Sequence, residues 1–362
     1  MKHLLVPSLL LALAVGGLAS EVAAWGATGH RIIGVEAVRA LPDEIPAFLR
    51  NPAAAAGIGE LAREPDRWKG AGQPHDRERD TAHFVNLRED GRVMVAGGPH
   101  NTDLPRLKSE YDAALIAAGT DVDTAGYLPY ALMDGYQQLV RNLGYWRVLS
   151  AAEARETDPG KHAWYREDRV RREALILRDL GVLAHYIGDA SQPLHVSIHY
   201  NGWAEGEPNP EGFTTSRRTH SLFEGAFVRR NVRAADVDAA MPVPRLDGFE
   251  LRASTAAYLL ETLAGVTPFY RLEKAGAFVD GDPRGIAFAT ERLAAGAAVL
   301  RDWTVLAWRD SADERVGGPA VSVAEVEAGP ADPWDALGGT DCGGKIACGG
   351  RIPPPPGVGD HA

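Results

Sequence analysis

One stretch limits the folds open to this chain: Leu-Ala-His-Tyr-Ile-Gly-Asp-Ala-Ser-Gln-Pro-Leu-His, from Leu183 to His195. It places His185 and Asp189 four residues apart and His195 six further on. In the segment before it, 165–188, Leu175, Leu177, Leu180, Leu183, Ala184 and Ile187 recur at helical spacing with Arg and Glu between them. Residues four apart share a helix face, so the His185 imidazole and the Asp189 carboxylate are expected to point at one place. Pro193 does not fit a helix interior. The helix is therefore expected to end near Ser191, with His195 just past the turn. Two imidazoles and a carboxylate at a helix end suit zinc. The same spacing also suits a packed histidine with a carboxylate neighbour, and this stretch alone does not separate the two.

The remaining periodicity is also helical. Thr28 is a candidate N-cap, followed by an apolar stripe of Ile32, Ile33, Val35 and Val38. Further helices are expected over 42–50, 53–69, 104–118, 127–152, 219–232, 250–266 and 283–310. Tyr130, Tyr136, Tyr145 and Trp146 read as core rather than as a binding stripe. Residues 70–103 are polar and Gly-rich and read as mostly loop, as does 196–219, whose part 201–218 is expected to line one side of a cleft. No β-alternation, internal repeat or phosphate-cradling Gly loop occurs. The expected fold is all-α, a single multi-helix domain over 25–311, with an irregular Gly/Pro-rich tail over 312–362.

Charge and the two ends of the chain narrow the function. The formal net charge is −11, with no Lys/Arg-rich run. Long-range attraction to nucleic acid or anionic lipid is thus not supplied by the side chains, although bound metal could supply local cations. Residues 1–24 read as a secretory signal: Lys2, a short apolar run over 4–18, and Val22-Ala23-Ala24 as a cleavage site. The run is short for a bilayer, so no stable membrane insertion is expected. Cleavage after Ala24 makes Trp25 the mature N-terminus of a secreted or periplasmic protein. Cys342 and Cys348, the two cysteines, suit a small disulfide loop in such a compartment.

His220 and Glu224 repeat the spacing of His185 and Asp189, and His30, Asp66 and His83 are further candidates upstream. Trp25 adds a donor pair. A free α-amino group and the carbonyl of the same residue form a five-membered chelate, which requires the chain to begin where the signal cleavage falls. His75, His100, His162, His199 and His361 read as non-ligands, His199 being the least clear because it follows His195 by four.

In this combination the chain resembles the exported trinuclear-zinc nucleases of the nuclease S-one and P-one type, a superfamily shared with the bacterial zinc-dependent phospholipases C. The resemblance covers 25–311. It rests on Trp-x-x-x-x-His at the mature N-terminus, Pro-Asp-x-Trp, His-Phe-Val-Asn, His-x-x-x-Asp-x-x-x-x-x-His with Gln-Pro-Leu inside, and His-x-x-x-Glu. It implies three Zn²⁺ ions. One would take Asp66, His83, His185 and Asp189. A second would take the Trp25 amine and carbonyl, His30 and Asp189, making Asp189 a bridge. A third would take His195, His220 and Glu224. The implied reaction is hydrolysis of phosphodiester bonds in single-stranded DNA and RNA, with 3′-nucleotides as further substrates, by a metal-activated hydroxide. Asp66, Lys69 and Asp189 are the implied catalytic groups. Lys69 stands where the family places a transition-state cation. Phe84 would stack on a nucleobase and Asn86 would read its edge. A monomer is expected.

Two departures bear on substrate. The nucleases usually carry Asp where this chain has Glu224, a position at which the phospholipases C carry Glu, and Asp where it has Asn86. The short spacing from Trp25 to His30 is nuclease-like. A phospholipase C-type phosphodiesterase with phospholipid as substrate is therefore the alternative. A zinc-binding protein without catalysis is a more distant one.

Overall fold

The computed structural model describes residues 25–338. The expected signal segment, Cys342, Cys348 and His361 lie outside the described residues. The fold is all-α, as the periodicity requires, and is built around the 33-residue helix Pro159–Ser191. Asp158 starts it, accepting from the backbone N–H groups of Gly160 and Lys161 at 2.8 and 2.9 Å, with Pro159 in the first turn. The helix begins earlier than its apolar repeat suggests, because the first turns carry polar residues outside the core. It ends at Ser191, two residues before Pro193, as expected.

Helix Leu128–Arg155 is joined to it by a three-residue link and folds back along it. Leu132, Leu139 and Leu143 are buried on the first, and Ile176, Leu180, Leu183 and Ile187 on the second. One polar network lies in this interface. Asn142 donates to Asp179 at 2.5 Å and accepts from Arg172 at 2.6 Å. Tyr130 and Tyr136 are buried and Tyr145 and Trp146 half-buried, so the four aromatics serve packing.

The N-terminal helix Gly26–Arg39 lies against the central helix, against Pro52–Leu61 and against the 28-residue helix Pro283–Asp310. Missing side chains permit these approaches. A Cβ on Gly34 would sit 3.1 Å from the Gly59 Cα, and one on Gly181 would collide with Leu61. The expected helix over 53–69 is broken: Pro52–Leu61 ends before the short turn Glu64–Arg67. Likewise 250–266 divides into Leu251–Leu263 and Val266–Lys274. The segment 70–103 is mostly loop but includes the helix His75–Asp80.

The segment after Ser311 is more ordered than its composition suggests. Strands Arg315–Val316 and Val321–Ser322 pair antiparallel and lead into helix Val323–Ala328. Val316, Val323 and Val326 are buried against Val148, and Trp334 packs on Trp164 and Tyr165 with ring centroids 5.4 and 5.5 Å apart. The packed body therefore extends beyond the expected boundary at 311. Two-residue strands leave no period to read, and the surrounding Gly and Pro mask a helix of six residues. Among the described residues no helix is long and apolar enough to cross a membrane.

Candidate metal centre

The C-terminal turns of the central helix carry His185 and Asp189 on one face, and both are fully buried. Trp25 ties the start of helix Gly26–Arg39 to this end. Its indole Nε1 donates to the Gly188 carbonyl at 2.7 Å and to Ser191 Oγ at 2.9 Å. The helix that follows brings in His30, whose ring stacks on His185 at 3.9 Å. Gly188 makes room, since a Cβ there would lie 2.8 Å from His30 Nδ1. His30 Nε2 stands 3.4 Å from Asp189 Oδ1.

The other Asp189 oxygen, Oδ2, meets His83 Nδ1 at 3.1 Å and His185 Nε2 at 3.2 Å. Those two nitrogens are 2.9 Å apart. Asp66 reaches the same place from the short turn Glu64–Arg67, with Oδ1 4.0 Å from His83 Nδ1 and 2.8 Å from Lys69 Nζ. His30, Asp66 and His185 converge within 4.8 Å, and so do His83, His185 and Asp189, so the two groups interpenetrate at His185.

A second set lies beyond the turn at Pro193. His195 Nε2 is 3.1 Å from both Glu224 Oε1 and His220 Nε2, and His220 Nε2 is 2.8 Å from the same Glu224 oxygen. Residues Leu222–Phe227 form a π-helical turn, the wide geometry often found where a helix carries a functional group. Gln192, buried, donates to Glu224 Oε1 at 2.5 Å. His195 Nδ1 is 4.0 Å from Asp189 Oδ1, so the two sets adjoin.

Backbone carbonyls set the tautomers. His185 Nδ1–H donates to Ala62 at 2.8 Å, His195 Nδ1–H to His83 at 2.7 Å, and His220 Nδ1–H to Tyr200 at 2.8 Å. Each neutral ring then presents an Nε2 lone pair inward. Lone pairs and carboxylate oxygens about 3 Å apart repel one another unless a proton or a metal cation lies among them. Several buried polar atoms make no hydrogen bond within the protein: both His30 nitrogens, His83 Nε2, Asp189 Oδ1 and Glu224 Oε2. Unpaired buried polar atoms cost too much to gather in one place without a ligand. These buried His, Asp and Glu groups can hold metal ions.

The same charges set the titration of the apo site. Burial would raise the Asp189 carboxyl, but His185 and His195 hold it well below the ordinary carboxylate range. Burial pushes His83 down to about 4, and burial with the neighbouring His185 also lowers His30. His195 goes the other way. Burial works against its proton, yet Asp189 and Glu224 outweigh it and bring it to about 9. Glu224 is held at about 2 despite its burial, by His220 and His195.

All the expected donor side chains therefore meet in these two sets. Trp25 is at the same helix end, with its indole locked there and its carbonyl accepting from Gly29 N–H at 3.2 Å. The centre is most open on the side of Asp66 and Lys69, whose side chains are 18 % and 26 % exposed, against 0–7 % for the other side-chain donors. Phe84 is half-buried beside His83. Asn86 is buried, its amide donating to the Thr124 carbonyl at 2.6 Å, with Oδ1 unpartnered. His199 stays out of both sets. Its Nδ1 accepts from Ala204 N–H at 3.0 Å, its Nε2 donates to Glu89 at 2.6 Å, and its ring stacks on Trp203 at 3.7 Å. The loop 201–218 meets the second set through Asn201, which accepts from His220 N–H. Gln192 and the three carbonyls were not singled out from sequence. Only Gln192 leaves a trace there, inside the Gln-Pro-Leu turn.

No protein-family model and no curated protein matches this chain.

Proposed function

We propose that the chain is a zinc-dependent endonuclease that hydrolyses phosphodiester bonds of single-stranded DNA and RNA. The observation that carries this reading is the pair of adjoining donor sets, with inward Nε2 lone pairs and unpartnered buried carboxylate oxygens. Imidazole and carboxylate donors without thiolate suit zinc. Asp66, His83, His185 and Asp189 would hold one ion, Trp25, His30 and Asp189 a second, and His195, His220 and Glu224 a third. Bound zinc would supply Lewis acidity, lowering the pKa of water towards neutrality and offsetting phosphate charge.

The chain's own residues supply the rest. Asp189 offers one oxygen towards His30 and the other towards His83 and His185, which is the geometry a shared carboxylate needs. Lys69 keeps its proton. Burial works against it, but Asp66 raises its pKa, leaving a fixed cation at the open edge. Such a cation can bind a phosphoryl oxygen and stabilise charge that grows in the transition state. Phe84, half-buried next to His83, offers an aromatic surface for an unpaired base, worth roughly 1–3 kcal/mol per base. Export by the leader over 1–24 belongs to this proposal, because only a chain beginning at Trp25 has the free amine.

Purified protein assayed on single-stranded DNA and on phosphatidylcholine tests the reading. Cleavage of DNA that stops on chelation and returns with zinc is the expected result. Turnover of lipid without nuclease activity would replace it by the phospholipase C reading, and zinc binding without hydrolysis of either would leave a non-catalytic metal protein.

A further inference from the structure

Beside the open edge of the metal centre lies a group of cations that the proposed chemistry does not use. Trp68 stands between Asp66 and Lys69 in sequence and is half-buried. Two guanidinium groups approach its indole, Arg79 at 5.3 Å from the ring centroid and Arg178 at 5.8 Å. Both arginines are exposed. Arg178 has one acidic partner, Asp179, at 2.8 Å. Arg79 forms no ion pair among the described residues, although acidic residues outnumber Lys and Arg by 49 to 38 in the chain. Two cations held near one ring repel each other, and the attraction of an indole for an exposed cation is weak. The arrangement is satisfied by an anion from outside the chain.

Its position relative to the metal centre is fixed by the central helix. Arg178 precedes His185 by seven residues, so it lies two turns away on the same face, about 10 Å along the axis. That face runs along the 61–68 segment: Gly181 abuts Leu61, and His185 Nδ1 donates to the Ala62 carbonyl. Arg79 belongs to the helix His75–Asp80, which leads directly into the turn Thr81–His83. The cations therefore border the side on which Asp66 and Lys69 are exposed.

We infer that Trp68, Arg79 and Arg178 form a subsite for backbone phosphates of a single-stranded nucleic acid, next to the phosphodiester held at the metal centre. This rests on the nuclease reading above. A guanidinium fork matches two phosphate oxygens, and phosphates recur along a strand, so one bound at the centre brings its neighbours to this edge. A lipid surface is less well matched, since membrane attraction needs a larger basic cluster than two arginines and Lys69. The subsite makes the protein prefer polymers over the smallest phosphodiesters.

Zinc-loaded wild-type protein is compared with Arg79→Gln, Arg178→Gln and the double variant. The measurements are KM for a short single-stranded DNA across a salt series, kinetics on a dinucleotide without flanking phosphates, and anisotropy binding of a labelled phosphorothioate oligonucleotide. The double variant is expected to raise the oligonucleotide KM and binding constant about tenfold. The slope of log KM against log salt should flatten by about 1.4, at roughly 0.7 per phosphate contact. Dinucleotide kinetics should not change. Arg79→Gln alone removes no ion-pair partner and should give about half the slope change, which keeps the test open if the double variant folds poorly. An oligonucleotide KM and salt slope equal to wild type overturns the subsite and leaves the nuclease reading standing. A wild-type protein that cleaves no nucleic acid removes both. Binding to phosphatidylserine vesicles that depends on these arginines, with oligonucleotide binding unaffected, overturns the assignment in favour of lipid.

Discussion

Asp189 and Glu224 show how much of this site is decided by single side chains. Each is a fully buried carboxylate whose ordinary tendency to take up a proton is defeated by histidines around it. In the metal-free protein this gives a defined pH dependence. Glu224 has a folded pKa of about 2 against 4.5, so its contribution to stability is present above pH 4.5 and is lost as pH falls through 2. His195 has a folded pKa of about 9 against 6.5, so its contribution is present below pH 6.5 and is lost as pH rises through 9. The pair therefore stabilises the metal-free fold most between these limits, from 4.5 to 6.5. Zinc competes with the His195 proton. The rise in Tm on adding zinc, followed by calorimetry, is expected to grow from pH 6.5 to 9, and an increment that stays flat would show that His195 is no ligand. At this scale the pairs His185/Asp189 and His220/Glu224 were legible in the sequence, because i to i+4 spacing on a helix fixes a shared face. The grouping of His30, Asp66 and His83 with the first pair, and of His195 with the second, was implied only by the family resemblance. The carbonyls of Ala62, His83 and Tyr200, which fix the tautomers, were not. A backbone carbonyl carries no sequence signal, and only the fold decides which one a ring meets.

At the level of elements, the site depends on how closely the central helix lies against its neighbours. Gly181 and Gly188 occur on that helix where a helix former would be preferred, and both allow contact, with Leu61 and with His30. Gly181→Ala adds a methyl group where none fits. It is expected to cost about 1–3 kcal/mol in urea unfolding. It should also weaken zinc binding, since Ala62 holds His185 from the same segment. A stability equal to wild type would mean that the helices are less closely set. The C-terminal hairpin and helix can be tested in the same way. Ending the chain at 311 would re-expose Val148 and Tyr165, at roughly 1.5–3 kcal/mol for each large side chain. A drop of about 3 kcal/mol or more in unfolding free energy is expected, and an unaffected stability would make the segment a passive tail. The long helices were legible because their apolar repeats run for many turns. This segment was not, because its strands have two residues each and its helix six.

Across the whole molecule, an acidic chain handles an anionic polymer only if positive charge is concentrated where the chemistry occurs. The net charge of −11 provides no long-range attraction. On the proposed reading, zinc ions in the donor sets would join Lys69 and the arginines beside Trp68 in supplying that charge. The all-α body positions them by making two helix ends, at Trp25 and at Ser191, meet through one indole. Asp189 is the residue common to most of these contacts. The most direct test is the zinc content of the purified protein, set beside that of Asp189→Asn, by elemental analysis after dialysis. About three zinc ions per chain are expected in the wild type, given the donors available. Loss of at least two of them, together with hydrolytic activity, is expected in the variant. A wild-type protein that holds no zinc, or an Asp189→Asn variant that keeps its full zinc content, would contradict a metal centre built on Asp189.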